Sequence, residues 1–136
     1  MAASPWLLSG VILVGITALL AALYLFLNQP PRALPPAAAR ATLRDHAVDA
    51  VIDVRTDAEW SAGHYPTAIH IPIQELTRTL PHQVPDRETR ILFYCRTGHR
   101  AAAAARIAAD MGYGHTYYLA GGDYTELEPQ HQIHPN

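Results

Sequence analysis

Apolar and polar positions follow two regimes along this chain. Residues 6–27 are almost continuously apolar and carry no charge. Beyond them, short apolar runs alternate with polar stretches punctuated by proline and glycine. The short runs predict strands at 50–54, 68–73, 91–94 and 115–119. Between them the pattern predicts helices. One covers 41–47. A second is capped by Thr56 or Asp57 and runs through Glu59 and Trp60. An amphipathic turn or two covers 74–80. Residues 101–109, dominated by alanine, have strong helix propensity, and Gly112 sits where the residue after a helix C-cap is expected. Turns fall at 63–66 and at Gly121-Gly122, a polar connection at 81–89, and a last helical turn at 124–128. Strands that alternate with helices predict an α/β sandwich around a mostly parallel sheet, with ligands at the carboxyl ends of the strands.

The apolar N-terminal run would form a helix of about 33 Å, enough for a hydrocarbon core of about 30 Å. Trp6 and Tyr24 suit its two interfaces. It reads as a retained anchor and not a cleaved signal. It is long for a signal's apolar region, no Lys or Arg precedes it, and the small residues Ala37-Ala38-Ala39 lie well beyond its end. Pro30, Pro31, Pro35 and Pro36 make the next stretch an extended spacer. The chain thus divides into a transmembrane anchor (1–28), a Pro/Ala-rich linker (29–40), one folded domain (41–128) and a flexible tail (129–136). Arg32, Arg40 and Arg44 follow the span and no Lys or Arg precedes it, which by charge bias places the domain in the cytoplasm.

Composition narrows the partners. The net charge of −2 across 136 residues gives no reason to expect a nucleic acid. Every cationic side chain is arginine. The single cysteine excludes an intrachain disulfide and a cysteine-based zinc cluster. The eight histidines are scattered, with His131 and His134 in the tail, so neither a metal site nor an organic cofactor is expected. His64 is expected to pack or hydrogen-bond at its turn, and His70 to face outward from its strand.

The candidate chemistry centres on Cys95-Arg96-Thr97-Gly98-His99-Arg100, between the predicted strand 91–94 and the alanine-rich helix. N–H groups at a helix start lack helical partners, and the macrodipole adds positive potential there. Such a cradle favours an anion, and Arg96 and Arg100 add full charges. Each effect favours thiolate over thiol, and a thiolate is a competent nucleophile. The alternative, a small buried hydrophobe at a strand end, does not explain the glycine, the two arginines and the helix together. Asp53, in the middle of an apolar strand, is costly unless paired; it could also cap the turn that follows.

The loop 95–100 resembles the active-site loop of single-domain rhodaneses, the sulfurtransferases. Val51-Ile52-Asp53-Val54-Arg55, Glu59-Trp60, Gly63-His64-Tyr65-Pro66 and Ala68-Ile69-His70-Ile71-Pro72 are similar to the family's first signature block. Met111-Gly112-Tyr113 and Leu119-Ala120-Gly121-Gly122 are similar to its closing block. The spacing is most similar to the small phage-shock rhodanese type of the bacterial envelope. The resemblance implies a rhodanese-like three-layer α/β sandwich with a mostly parallel central sheet, preceded here by one transmembrane helix. It implies a thiosulfate sulfurtransferase that moves a sulfane sulfur from thiosulfate or a similar sulfur-containing anion, through a Cys95 persulfide, to cyanide, a small thiol or a protein thiol. Arg96, Thr97, Gly98, His99 and Arg100 would form the substrate-binding loop, with Arg96 facing the anionic donor. Arg100 would either do the same or tie the loop to Asp53 or Glu59. Asp53 and Arg55 would support the loop. The location implied is a bacterial inner membrane crossed once, with the domain on the periplasmic side by resemblance and the cytoplasmic side by charge. The sequence departs from the family at Thr67, often glycine, and near Glu126, where a tryptophan is frequent. Two other readings use the same residues. Cysteine-dependent phosphatases and arsenate reductases also hold a thiolate in an anion cradle, but their loops are usually Cys-x5-Arg and this one is Cys-x4-Arg. A non-catalytic, membrane-tethered binding module of the same fold is the other.

Overall fold

Alternation within each strand sorts side chains onto the two faces of one sheet. The computed structural model describes residues 4–129. Five strands, β1 (Arg32–Leu34), β2 (Ala50–Asp53), β3 (Ile69–His70), β4 (Arg90–Tyr94) and β5 (His115–Leu119), lie in the order β1-β5-β4-β2-β3, and every neighbouring pair is parallel. On one face Ile52, Ile91 and Phe93 pack with Leu76 and Leu80 of α4 (Leu76–Gln83) and with Ala101, Ala104, Ala105 and Ala108 of α5 (His99–Asp110). The four alanines recur at helical spacing, so α5 turns one smooth stripe onto the sheet. On the other face Val51, Leu92, Tyr94 and Leu119 pack with Ala39 of α2 (Pro36–Arg44) and with Leu127 of a closing 3-10 turn. The result is the three-layer α/β sandwich expected.

The strand after Ala68 is shorter than expected, because Pro72 leads directly into a 3-10 turn and then α4. Helix α4 continues past Pro81 to Gln83, so the predicted stop at residue 80 falls three residues early. Gly112 takes a positive φ of 95° just beyond the last turn of α5, as expected of its place in the sequence.

The linker predicted at 29–40 is mostly part of the domain. Residues 32–34 form the edge strand β1, where Arg32, Ala33 and Leu34 register with Tyr117, Tyr118 and Leu119. The Ala120 N–H extends this ladder to the Leu34 carbonyl at 2.8 Å. Helix α2 begins at Pro36, five residues before the predicted boundary at 41. The prolines do not prevent this, because each sits where proline is tolerated: beside an edge strand, or at the start of a helix, where the N–H needs no partner. Ala39 is fully buried, and Arg40 donates to the Glu126 carbonyl at 2.8 Å. The Glu126 carboxylate also pairs with Arg40 at 3.2 Å, so this departure from the family pattern has its own local partner.

N-terminal to the sheet, α1 (Pro5–Leu27) is long and apolar enough to cross a membrane, and none of its residues is buried. Of the predicted tail only Pro129 is described; residues 130–136, with His131 and His134, lie outside the described residues. Ala39→Leu separates spacer from core. It should destabilise the domain by about 1–3 kcal/mol through overpacking, measured by denaturant unfolding, whereas a true spacer would leave the midpoint unchanged.

Candidate active site

Strand β4 sits at the centre of the sheet, with β2 beside it. The chain leaves β2 toward β3 and leaves β4 toward β5, in opposite directions across the sheet. A crevice opens at such a switch point, outside the carboxyl ends of the two strands. Cys95 follows β4 there, and α5 starts four residues later.

The turn between them is set by Gly98, the N-cap residue of α5, with φ 99° and ψ −20°. A side chain at this left-handed position would be strained, and its Cβ would also stand 3.0 Å from both the Gly121 nitrogen and the Leu119 carbonyl oxygen. The loop therefore backs directly onto the end of β5. Gly98 has no side chain with which to cap α5. The Cys95 sulfur takes that place, accepting from the Gly98 N–H at 3.1 Å and from the Ala101 N–H at 3.4 Å. Cys95 is 1% exposed and touches the core, so the sulfur is at once buried and the acceptor for the first turn of a helix. A thiol that only filled space would not need those two donors. Arg96, Thr97 and His99 are exposed around it, with Thr97 Oγ1 and His99 Nδ1 3.2 Å apart.

Arg100 resolves the two roles the sequence left open. Its guanidinium makes a two-pronged bond to Glu59, at 2.8 Å for each prong, and is not directed at Asp53. Glu59 lies in α3 (Asp57–Ala62), where it completes a capping box with Thr56. Its carboxylate accepts from the Thr56 N–H at 2.9 Å and the Thr56 hydroxyl at 3.0 Å. Arg100 in particular holds the Glu59 carboxyl well below its ordinary range, despite the opposing cost of burial. This junction clamps the first turn of α5 to the first turn of α3.

Asp53 and Arg55 form a second junction beneath the loop. The Asp53 carboxylate is fully buried and accepts from the Arg55 backbone N–H at 2.9 Å and from Arg55 Nη2 at 2.7 Å. The first bond is the turn cap read as an alternative role for Asp53, and the second is the pairing that a buried carboxylate requires. Arg55 Nη2 also donates to the Gly63 carbonyl at 2.7 Å. The link from this pair to the loop is Tyr94, which sequence reasoning treated only as a strand residue. Its hydroxyl donates to Asp53 at 2.7 Å and accepts from the Tyr65 N–H at 3.0 Å. Burial, reinforced by Asp53, pushes the Tyr94 hydroxyl well above its ordinary pKa and keeps it a donor. The signal was present, since a tyrosine in a central strand needs a partner for its O–H and Asp53 is a buried acceptor. Tyr124 was missed as well; Arg55 lies 5.0 Å from its ring centroid.

His64 behaves as expected at its turn, donating from Nδ1 to the Trp60 carbonyl at 2.9 Å and stacking on the Trp60 ring. His70 does not face outward. It too stacks on Trp60, at 4.7 Å between centroids, and its Nε2 donates to the Arg55 carbonyl at 2.9 Å. The reason is Trp60 of α3, whose ring lies over this edge of the sheet and covers the imidazole.

The Glu59 junction carries a pH signature. A carboxyl held below its ordinary value of 4.5 contributes in full above that pH, and the contribution drains away as the pH falls further. Glu59→Gln should therefore cost about 1 kcal/mol at neutral pH, a modest figure because both partners are partly solvated. The gap from wild type should narrow steadily as unfolding is measured from about pH 5 down toward about pH 2. A gap that stays constant over that range would mean that the charge is not what holds the junction.

Comparison with known proteins agrees with this geometry. The family described as "Rhodanese-like domain" matches residues 35–124. The thiosulfate sulfurtransferase PspE of Escherichia coli is 33% identical over 70 residues, which cover 52% of this chain and 67% of that protein. The thiosulfate:glutathione sulfurtransferase of Saccharomyces cerevisiae is 28% identical over 82 residues, covering 52% of this chain and 59% of that protein. Among solved structures, the human single-domain sulfurtransferase TSTD1 superposes with a TM-score of 0.57 at 28% identity, covering 71% of this chain and 93% of that one. With the parallel sheet, its switch point and the cysteine loop in the same chain, the protein belongs to the rhodanese-like domain family.

Proposed function

We propose that this protein is a membrane-anchored sulfurtransferase that carries a sulfane sulfur on Cys95. The observation that carries the reading is the pair of N–H groups, from Gly98 and Ala101, on the Cys95 sulfur at the start of α5. Those donors, with the helix dipole behind them, stabilise negative charge on sulfur. In the first half-reaction the Cys95 thiolate attacks the outer sulfur of thiosulfate. A new S–S bond forms, the bond to the sulfonate breaks, and its electron pair leaves with sulfite. The enzyme then holds a persulfide anion in the cradle vacated by the thiolate. In the second, a thiolate or cyanide attacks the outer sulfur, and the Cys95 thiolate is the leaving group. Charge and atoms balance in both steps, and neither needs an oxidant.

The charges around the loop divide the work. Arg100 is committed to Glu59, and Arg96 is exposed and makes no ion pair among the described residues. Arg96 is therefore the group that attracts a dianionic donor, with Thr97 and His99 beside it. Gly98 shapes the loop, while Asp53 and Arg55 hold its foot through Tyr94. The commitment of Arg100 also weakens the phosphatase reading, because the arginine that closes such a loop must face the anion. Residues 5–27 supply a single membrane span, consistent with their uniform exposure.

Intact mass after treatment with thiosulfate tests the nucleophile. Wild-type protein should gain roughly 32 Da as a persulfide, and Cys95→Ser should gain nothing. Equal behaviour of the two forms would remove Cys95 from the chemistry. Arg96→Ala should still form the persulfide at saturating thiosulfate, with KM raised several-fold and kcat little changed. A loss confined to kcat would assign Arg96 to the reacting atoms instead of to capture of the donor.

A further inference from the structure

The fold fixes which way the cysteine loop faces relative to α1. All five strands are parallel, so the sheet has one rim at the strand starts and another at the strand ends. Cys95 lies at the second rim. Helix α1 ends at the first. Phe26 and Leu27, in its last turn, line a cavity of about 480 Å³ together with Gly112, Gly114 and His115, where the chain enters β5. His115 registers with Arg90, the first residue of β4, and Cys95 follows the last. Five strand positions separate the two levels, about 16 Å at the rise of a parallel strand.

The connection leaves little freedom. From Leu27 to Arg32 the chain takes only five residue steps, a reach of about 17 Å if fully stretched, and Pro30 and Pro31 stiffen it. Arg32 is level with Tyr117 and hence with Leu92, so the chain already climbs part of the sheet's height before β1 begins. Turning the domain over would pull Phe26 and Leu27 away from the cavity they line with Gly112, Gly114 and His115.

We propose that the domain stands on the bilayer by the rim of its strand starts, with the Cys95 loop on the far side, open to water. The sulfur donor and the acceptor then both reach the site from solution. The acceptor is a water-borne nucleophile, a thiolate or cyanide, and not a group dissolved in the lipid. This orientation rests on α1 spanning a membrane, but not on Cys95 being catalytic.

Single-cysteine full-length proteins test it, since Cys95 is the only native cysteine. Cys95→Ser combined with Glu88→Cys places a fluorophore at the lower rim, where Glu88 is exposed beside His115. Cys95→Ser combined with Thr97→Cys, or with Arg96→Cys as a second choice, places it at the loop. Each protein is reconstituted into phosphatidylcholine and phosphatidylglycerol vesicles that contain a phosphatidylcholine with a nitroxide on its headgroup. Quenching should be several-fold stronger at position 88 than at position 97 or 96. Equal quenching, or stronger quenching at the loop, would overturn the orientation, as would failure of the full chain to float with the vesicles. Persulfide formation by the wild type reads out the chemistry separately, so loss of either result leaves the other interpretable.

Discussion

A helix that starts directly behind a buried strand has a problem at its first turn: N–H groups without partners, in a place water reaches poorly. The usual remedy is a Ser, Thr, Asp or Asn at the N-cap. Here the N-cap is glycine, because the backbone is left-handed there and a Cβ would crowd the end of β5 at 3.0 Å. The sulfur of Cys95 supplies the missing acceptor. The demand that shapes the loop and the demand that places an anion-stabilising cradle around one sulfur are the same demand. Structure and chemistry therefore cannot be assigned to different residues of this loop.

Around that core, charge is spent in opposite ways. Asp53 and Arg55 are buried and satisfy one another, an arrangement from which removal of one partner would leave an uncompensated ion in the interior, at a cost of several kcal/mol. Glu59 and Arg100 are partly solvated and act as a clamp between two helix starts. Each junction holds one side of the cysteine loop. The Asp53 pair reaches it through Tyr94, the residue before the cysteine, and Arg100 reaches it from the first turn of α5. What is left at the surface is Arg96, so the exposed positive charge of the loop comes from a side chain with no structural duty.

The parallel sheet also converts a local fact into a global one. Because every strand runs the same way, the end of the sheet that receives the chain from α1 is necessarily the end away from Cys95. Proximity of the domain to α1 and openness of its loop to solvent then follow from one topology, with only a few residues of connection.

Much of this was legible in the residues themselves. The alternation of Val51 with Ile52, and of Leu92 with Phe93, specified strands with two buried faces. The spacing from Cys95 to Arg100, followed by alanines, specified a strand, a tight loop and a helix start. Gly112 marked where that helix ends. These are short-range properties, set by side-chain period and backbone freedom, and a linear sequence carries them. The linker was misjudged because proline reports only what a residue cannot do; whether residues 32–34 pair with β5 depends on a partner strand more than eighty positions away. The same holds for Arg100. Its charge was visible, but the choice between Glu59 and Asp53 was made by where the fold sets the first turn of α3 relative to the first turn of α5. Likewise His70 is covered only because Trp60 of α3 stacks on it, and Tyr94 became the link between Asp53 and the loop only once β2 and β4 lay side by side. The sequence determined the elements and the place of the lone cysteine between a strand end and a helix start. Tertiary structure decided which ions pair and which remain free, because pairing energies depend on distance and burial, and neither exists until the chain has folded.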